Sequence, residues 1–316
     1  MAAASAPDPA ARHRLSIIVP AYDEADGVAP TLRALRESFP DAEILVVDDG
    51  SSDATAARAE SVPGVRVLRH GYNRGYGAAL KTGMRRAHGM LLAWFDADGE
   101  HGVSDLGAMV ALLEREELEA VLGQRPAGGG PTIRSVGKFL IRQLARSLGV
   151  RAGDDLNCGL RVFRRRAILP FLSILPDGFS ASLTSTMVLL ARRLPMRFHP
   201  ITQRPRVGSS KVRVADGFAS LLLVLRTVAL FAPLRIFFTP GLVLLLAGFV
   251  YGVATAVVLG RGLPTAALLL ANTGTMLCVL GLVADQVSQL RLERLEPHEP
   301  REGEPEAPSG EGGRPR

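Results

Sequence analysis

Two aspartates one residue apart, Asp96 and Asp98, have the spacing that most directly indicates chemistry in this chain. They follow the apolar run LLAWF at 91–95, which is typical of a buried strand. Carboxylate oxygens are ligands that Mg²⁺ and Mn²⁺ prefer. A cation held there could bind a diphosphate and stabilise the charge that collects on it when a bond breaks. The pair predicts a site for Mg²⁺ or Mn²⁺, and the alternative is a solvated acidic turn.

A second acidic turn, Asp48-Asp49-Gly50-Ser51, follows the apolar run ILVV at 44–47. A carboxylate there could accept a hydrogen bond from a base amide or a ribose hydroxyl, and Gly50 permits a tight turn. The alternative is a helix-capping turn.

The glycines at 71, 75 and 77 do not form G-x-G-x-x-G, and G-x-x-x-x-G-K-S/T and H-E-x-x-H are absent. These absences argue against dinucleotide-dependent and ATP-cleaving enzymes.

The elements that position these turns alternate along the first third of the chain. Strand-like runs occur at 15–19, 44–47, 65–68 and 91–95, with helix-like stretches between them. Continuous apolar strands separated by helices predict an α/β fold, with a Rossmann-like, mostly parallel sheet covered by helices on both faces. Ligands bind beyond the carboxyl ends of such strands, where Tyr22, Glu24 and the two acidic turns should converge.

Two uncharged apolar runs, 236–260 and 262–284, mark the last third of the chain. Each is long enough to cross a bilayer, and Arg261 alone separates them, so they predict a helical hairpin. Further arginines lie outside the pair, at Arg226, Arg235, Arg291 and Arg294. The positive-inside rule then places both termini in the cytoplasm, as in a multi-pass protein of the inner membrane. Two buried core helices are the alternative.

These observations divide the chain into five parts. A disordered leader (1–14) precedes a cytoplasmic catalytic domain (15–213), an interfacial amphipathic helix (214–235), two transmembrane helices (236–286) and a charged disordered tail (287–316).

Two cysteines form no disulfide framework. The stretch 125–166 holds nine arginines and one lysine, which favours anionic lipids or phosphates. Nucleic acid is the competing partner and is not expected, because recognised motifs are absent and aromatic residues make up only 5%.

Four ordered motifs carry a family resemblance. SIIVPAYDEADGV, ILVVDDGSSDAT, NRGYGAALKTGMRRA and FDADGEH resemble the GT-A family 2 glycosyltransferases. DLNCGLRVFRR and RPRVGSSKVR resemble the polyprenyl-phosphate group, which includes dolichyl-phosphate mannose synthase and undecaprenyl-phosphate glycosyltransferases. The resemblance, over residues 16–286, implies a GT-A fold and an inverting transferase. Its donor would be a nucleotide diphosphate sugar of the GDP-mannose or UDP-glucose type, and its acceptor polyprenyl phosphate at the cytoplasmic membrane face. Whether the protein forms a homo-oligomer stays open.

The resemblance also implies roles for individual residues. Asp96, Asp98 and Glu100 would hold the metal, although the dolichyl enzymes often have Gln at the last position. Asp98 and Asp155 would be catalytic. The donor would contact the loop and strand-end residues Pro20, Tyr22, Glu24, Val47, Asp49, Asp96, Ala97, Asp98, Arg125, Arg206 and Lys211.

The acceptor phosphate needs cations and a nucleophilic oxygen. Arg134 and Arg161 are the candidate phosphate ligands, and a generic basic surface is the alternative. A phosphate monoester has a second pKa near 6, so the acceptor is mostly dianionic at neutral pH. Such a nucleophile hardly needs a general base. Asp155 could therefore orient the sugar or a basic side chain instead, and the choice between a base and a positioning group stays open.

Two other functions share parts of this pattern. A processive polysaccharide synthase would need more membrane helices and a Q-x-x-R-W motif, but the sole tryptophan is Trp94. A non-catalytic nucleotide-sugar-binding membrane protein would be favoured by a broken metal pair, whereas both aspartates are present.

Overall fold

The computed structural model describes residues 14–126, 155–178, 180–203, 233–258, 260 and 262–293. Nearly all of the predicted leader and interfacial helix, and the end of the predicted tail, lie outside these residues. The same holds for Arg134, Arg206 and Lys211, so their predicted roles stay predictions.

The strands form one mixed sheet. They are β1 (Leu15–Ala21), β2 (Glu43–Asp48), β3 (Val65–Arg69), β4 (Leu91–Trp94), β5 (Ala120–Gln124), β6 (Arg161–Arg164) and β7 (Met196–Pro200). The seven strands run in the order β3-β2-β1-β4-β6-β5-β7. All neighbours pair in parallel except β6, which is antiparallel to both β4 and β5. The predicted mostly parallel sheet is confirmed, and the reversed β6 is an addition.

Helices cover both faces of the sheet. They are α1 (Ala25–Ser38), α2 (Thr55–Glu60), α3 (Tyr76–Arg86), α4 (Val103–Arg115), α5 (Arg165–Ile168) and α6 (Ala181–Ala191), with a 3₁₀ turn at Leu169–Phe171. Residues of α1, α2 and α4 pack on one face, and those of α3 and α6 on the other. In β1, Ile17 and Val19 join the first core and Ile18 the second. Because both faces are covered, the central strands β1, β2 and β4 are buried along nearly their whole length, whereas the outermost strands β3 and β7 are only partly buried.

The reversed β6 determines which segments meet at the sheet edge. The carboxyl ends of β1, β2 and β4 lie at one edge, as expected for parallel strands. Because β6 runs the opposite way, its amino end lies at that same edge, with Arg161 opposite Trp94. Residues 155–160, which precede β6, are therefore brought to the edge where the acidic turns lie.

The carboxyl-terminal helices form a hairpin. A π-helical turn at Leu234–Phe238 leads into α7 (Thr239–Val258), which packs along α8 (Thr265–Glu293). Segments Phe237–Val258 and Thr265–Leu290 are long and apolar enough to cross a membrane. A Cβ at Gly241 would lie 2.8 Å from the Gly274 carbonyl oxygen, so the backbones touch. Helix α8 continues to Glu293, so it includes the first residues of the stretch 287–316 that the sequence analysis assigns to the tail.

Candidate active site

A cavity of about 450 Å³ opens at the carboxyl edge of the sheet. The predicted site residues that line it are Pro20, Tyr22, Glu24, Asp49, Asp96, Ala97, Asp98, Glu100 and Arg125. Residues that the sequence did not single out line it too, namely Ala21, Asn73, Gly75, Tyr76, Ala79, His101, Asn157, Gly159 and Ser182. The strand ends therefore converge as expected, and the segment before β6 adds another wall.

The Asp96 carboxylate is held from three sides. The Tyr76 hydroxyl donates to Oδ1 at 2.9 Å, and His101 Nε2 lies 3.2 Å from Oδ2. On the third side is Gly159, where a Cβ would lie only 2.1 Å from Oδ2. Burial would raise the pKa of Asp96, but the hydrogen bonds and charge of His101, with the Tyr76 hydroxyl, outweigh it and lower that pKa. Burial and Asp96 raise the pKa of Tyr76 well above its usual value, so its hydroxyl stays a donor.

Asp98 and Glu100 lie beside Asp96 on the cavity wall. Asp98 is 9% exposed, and its Oδ1 accepts a hydrogen bond from the Glu100 amide at 3.1 Å. Glu100 Oε2 accepts from Gln203 Nε2 at 3.3 Å. Gln203 also forms an isolated bridge with His101. This contact anchors the chain after β7 next to the acidic run.

The donor set suits a hard divalent cation only in part. Asp96 and Asp98 bring carboxylate oxygens to one cavity, which is the chemistry that Mg²⁺ and Mn²⁺ require. In the described part of the chain, however, no three His, Cys, Asp or Glu side chains are grouped closely enough to hold a metal alone. Two carboxylates would therefore need further oxygens, such as those of a bound diphosphate, to complete a coordination shell.

Asp49 is fully engaged by protein donors. Its Oδ1 lies 2.6 Å from His70 Nδ1 and accepts from the Arg74 amide at 3.0 Å, and its Oδ2 accepts from the Gly75 amide at 2.7 Å. Gly75 has a φ of +101°, and a Cβ there would lie 2.5 Å from the Asp177 carbonyl oxygen, so only glycine fits. Asp49 thus holds the segment that forms one cavity wall.

Arg125 and Asp155 form a bidentate ion pair. Arg125 Nε donates to Asp155 Oδ2 at 2.6 Å, and Nη2 donates to Oδ1 at 3.2 Å. Burial would raise the pKa of Asp155, but the hydrogen bonds and charge of Arg125 outweigh it and lower that pKa. The hydrogen bond that Arg125 donates to Asp155 raises the pKa of Arg125 in turn. Asp155 is therefore a charged, partnered carboxylate at neutral pH.

Two predicted site residues lie in the core instead. The Val47 side chain is 0% exposed and packs in the core formed with α3, because β2 is covered on both faces. Arg161 is also 0% exposed, and its guanidinium donates to backbone carbonyls and to hydroxyls of α6. Neither side chain lines the cavity, so this geometry does not support the acceptor-phosphate role expected for Arg161.

Some of the additional cavity residues carried weak signals in the sequence. His101 directly follows the acidic run, and Tyr76 lies in the glycine-rich segment after β3. Gly159 had no local signal, because its importance comes from a contact with a residue 63 positions earlier in the chain, Asp96.

Comparison with known proteins identifies the family. Residues 16–168 match the model of glycosyl transferase family 2, and residues 232–290 match that of the GtrB C-terminal hairpin. Undecaprenyl-phosphate mannosyltransferase from Micrococcus luteus is 31% identical over 57% of this chain and 80% of that protein. The chain belongs to glycosyl transferase family 2. The resemblance drawn from the sequence motifs is thereby confirmed, and the chain is a glycosyltransferase with a membrane hairpin.

Other similar proteins have names that specify different sugars. Dodecaprenyl-phosphate galacturonate synthase from Rhizobium johnstonii is 33% identical, and the match spans 51% of each chain, about half the length of that relative. Dolichyl-phosphate beta-glucosyltransferase from Trichomonas vaginalis is 28% identical over 70% of this chain and 75% of that protein.

A solved structure supports the fold. Glucosyl-3-phosphoglycerate synthase from Mycobacterium tuberculosis superposes with a TM-score of 0.55 at 21% identity, over 68% of this chain and 78% of that one. At this identity the likeness concerns the fold alone, and it supports the GT-A-like assignment.

Proposed function

We propose that the protein transfers a sugar from a nucleotide diphosphate sugar to polyprenyl phosphate, with inversion, at the cytoplasmic face of the membrane. The observation that carries the proposal is that Arg125, which is paired with Asp155, lines the same cavity as Asp96 and Asp98. In the same chain, a hairpin long enough to cross a membrane follows this domain. Relatives whose names specify polyprenyl phosphate acceptors support the choice of acceptor.

The donor would occupy the cavity from the β1 loop to the acidic run. Pro20, Tyr22, Glu24 and Asn73 line the end away from β6 and would enclose the nucleoside. The diphosphate would then reach Asp96 and Asp98, which would hold Mg²⁺ or Mn²⁺. The cation would supply stabilisation of the charge on the departing nucleoside diphosphate.

The reaction needs one bond to form and one to break. An oxygen of the acceptor phosphate would attack the anomeric carbon while the bond from that carbon to the donor diphosphate breaks. The nucleoside diphosphate would leave with the electron pair. No proton has to be removed from a dianionic phosphate, so the charged Asp155 would orient Arg125 rather than act as a base.

Arg125 is suited to hold an anion at this place. Its side chain is 34% exposed, and its guanidinium has donors beyond the two that Asp155 occupies. Asp155 fixes the fork so that the remaining donors point in a constant direction, as a preorganised site requires. We assign to Arg125 a contact with the donor diphosphate.

The test is transfer of label to lipid. Membranes that contain the protein would be incubated with undecaprenyl phosphate and each of a panel of radiolabelled UDP- and GDP-sugars, and organic extracts would be scored. We expect one donor to label the lipid in a reaction that Asp96→Ala abolishes. Asp26→Ala is the matched control, because this carboxylate is exposed and pairs with Arg58 away from the cavity.

Two outcomes would contradict the proposal. Label that appears only as free sugar would show hydrolysis of the donor instead of transfer. Labelled lipid that forms equally with the Asp96→Ala protein would show that the cavity is not the site of transfer. The donor that labels the lipid would also identify the transferred sugar and the nucleotide base.

A further inference from the structure

Arg161 is a buried cation that forms no ion pair with an acidic side chain among the described residues. Its side chain is 0% exposed, and in the described part of the chain no carboxylate forms an ion pair with it. The guanidinium lies over the ring of Trp94, with Cζ 5.8 Å from the ring centroid. A buried charge without a counter-charge is costly, so its retention requires compensating hydrogen bonds.

Those hydrogen bonds join two segments that are distant in the sequence. On one side Nε donates to the Cys158 carbonyl oxygen at 2.7 Å, and Nη2 donates to that of Leu156 at 2.9 Å. On the other side Nη1 donates to Ser185 Oγ at 3.1 Å and Thr186 Oγ1 at 2.7 Å. The rigid guanidinium fork thus attaches residues 156–158 to helix α6.

The attached segment carries much of one cavity wall. Asp155, directly before it, forms the ion pair with Arg125, and Asn157 lines the cavity. Gly159, directly after Cys158, lies against the Asp96 carboxylate. A shift of the two carbonyls that Arg161 holds would therefore move the contacts of both Asp155 and Gly159. The guanidinium itself does not line the cavity.

The geometry points to Arg161 as a positioning residue of the transfer reaction, which sets the 155–159 segment against Asp96 and Arg125 from behind the cavity wall. This inference rests on the proposed function for its catalytic consequence. Its structural part, the attachment of the segment, can be measured without any substrate.

Three variants separate this role from general stability. Arg161→Met removes the fork and the charge, and Arg161→Lys keeps the charge and up to three donors in a different geometry. Arg165→Met is the matched control. Arg165 also donates to backbone carbonyl oxygens, those of Ala87 and Gly89, but it does so at the opposite edge of the sheet. All would be compared at a temperature where each is folded by circular dichroism.

Amide hydrogen exchange is the first readout, on the substrate-free protein. We expect faster exchange at residues 156–160 in Arg161→Met and wild-type exchange there in Arg165→Met. The second readout is kinetic. Displacement of reacting groups by about 1 Å can cost roughly 100-fold in rate. Arg161→Met should therefore lower kcat by about that factor, while affinity for the free nucleoside diphosphate changes less than about threefold. Arg161→Lys should recover part of the loss.

Each result decides the inference. Wild-type exchange and turnover in Arg161→Met would overturn it, and so would equal losses in Arg161→Met and Arg165→Met. If Arg161→Met does not fold, Thr186→Val removes one acceptor of the fork while the guanidinium remains. Wild-type behaviour of both Thr186→Val and Arg161→Lys would then overturn the inference. Failure of the wild-type protein to label lipid would refute the proposed function, and the exchange result would still show whether Arg161 holds the segment.

Discussion

Gly159→Ala would test whether the cavity depends on close contact between the backbone and the Asp96 carboxylate. The added Cβ would lie 2.1 Å from Asp96 Oδ2, 2.9 Å from Cγ and 3.1 Å from Oδ1. Ordinary contacts begin at 3.4 Å, so the carboxylate or the segment has to move by at least about 1 Å. The carboxylate cannot simply rotate, because Tyr76 and His101 hold its two oxygens.

The expected magnitude follows from this displacement. A shift of about 1 Å in a group that positions reacting atoms costs roughly 100-fold in rate, or about 2.7 kcal/mol in the barrier. Loss of one hydrogen bond to Asp96 would add about 1 kcal/mol of destabilisation. We therefore expect Gly159→Ala to lose far more activity than its change in melting temperature would suggest.

The assay is lipid labelling at saturating donor, with the melting temperature measured on the same preparation. Gly107→Ala is the matched control, because it lies in α4 and a Cβ there would come no closer than 3.8 Å, to Phe39. Alanine also has a higher helix propensity than glycine, so Gly107→Ala should keep full activity. Full turnover by Gly159→Ala would refute the reasoning, since the carboxylate would then be displaced without consequence.

Four further expectations follow. Asp98→Ala should lower turnover by about 10²–10³-fold, and EDTA should abolish activity until Mg²⁺ or Mn²⁺ is added; full activity in EDTA would exclude the metal. Asp155→Asn should be slower but keep an acidic limb near pH 6, because Arg125 keeps the pKa of Asp155 low and the limb belongs to the acceptor phosphate; a limb moved by more than about one unit would make Asp155 the titrating group. The stability that this ion pair contributes should persist at pH 6 and fade only below about pH 4, as pH falls through the lowered pKa, which thermal melts would check. The hairpin should keep the protein in membranes through an alkaline wash, with a carboxyl-terminal reporter in the cytoplasm; a periplasmic reporter would reverse the topology.

The positions of Asp96 and Asp98 could be predicted because one local pattern determines them. An apolar run of strand length must be buried, and the polar residues that follow it must leave the core at the end of the strand. The same reasoning placed Tyr22, Glu24 and Asp49 at the cavity. The limit of this reasoning is visible at Val47, since a strand buried on both faces has no alternation that tells which side chains face a ligand.

The environment of Arg161 could not be predicted in this way. An arginine is rarely buried unless its donors are satisfied, and here the satisfying hydroxyls lie 24 and 25 residues away, in α6. Nothing in the local sequence marks that pairing. The antiparallel direction of β6 was likewise not apparent from its residues, although it brings Asn157 and Gly159 to the cavity.

The ion pair between Arg125 and Asp155 has a consequence for how family members could diverge. It joins the two residues that flank the stretch 126–154, so the ends of that stretch are held close together. The entropic cost of a longer connection between fixed ends grows slowly, by about 0.6 kcal/mol for each doubling of length. A change in the length of this connection among family members would therefore alter the closure cost of the ion pair only slightly.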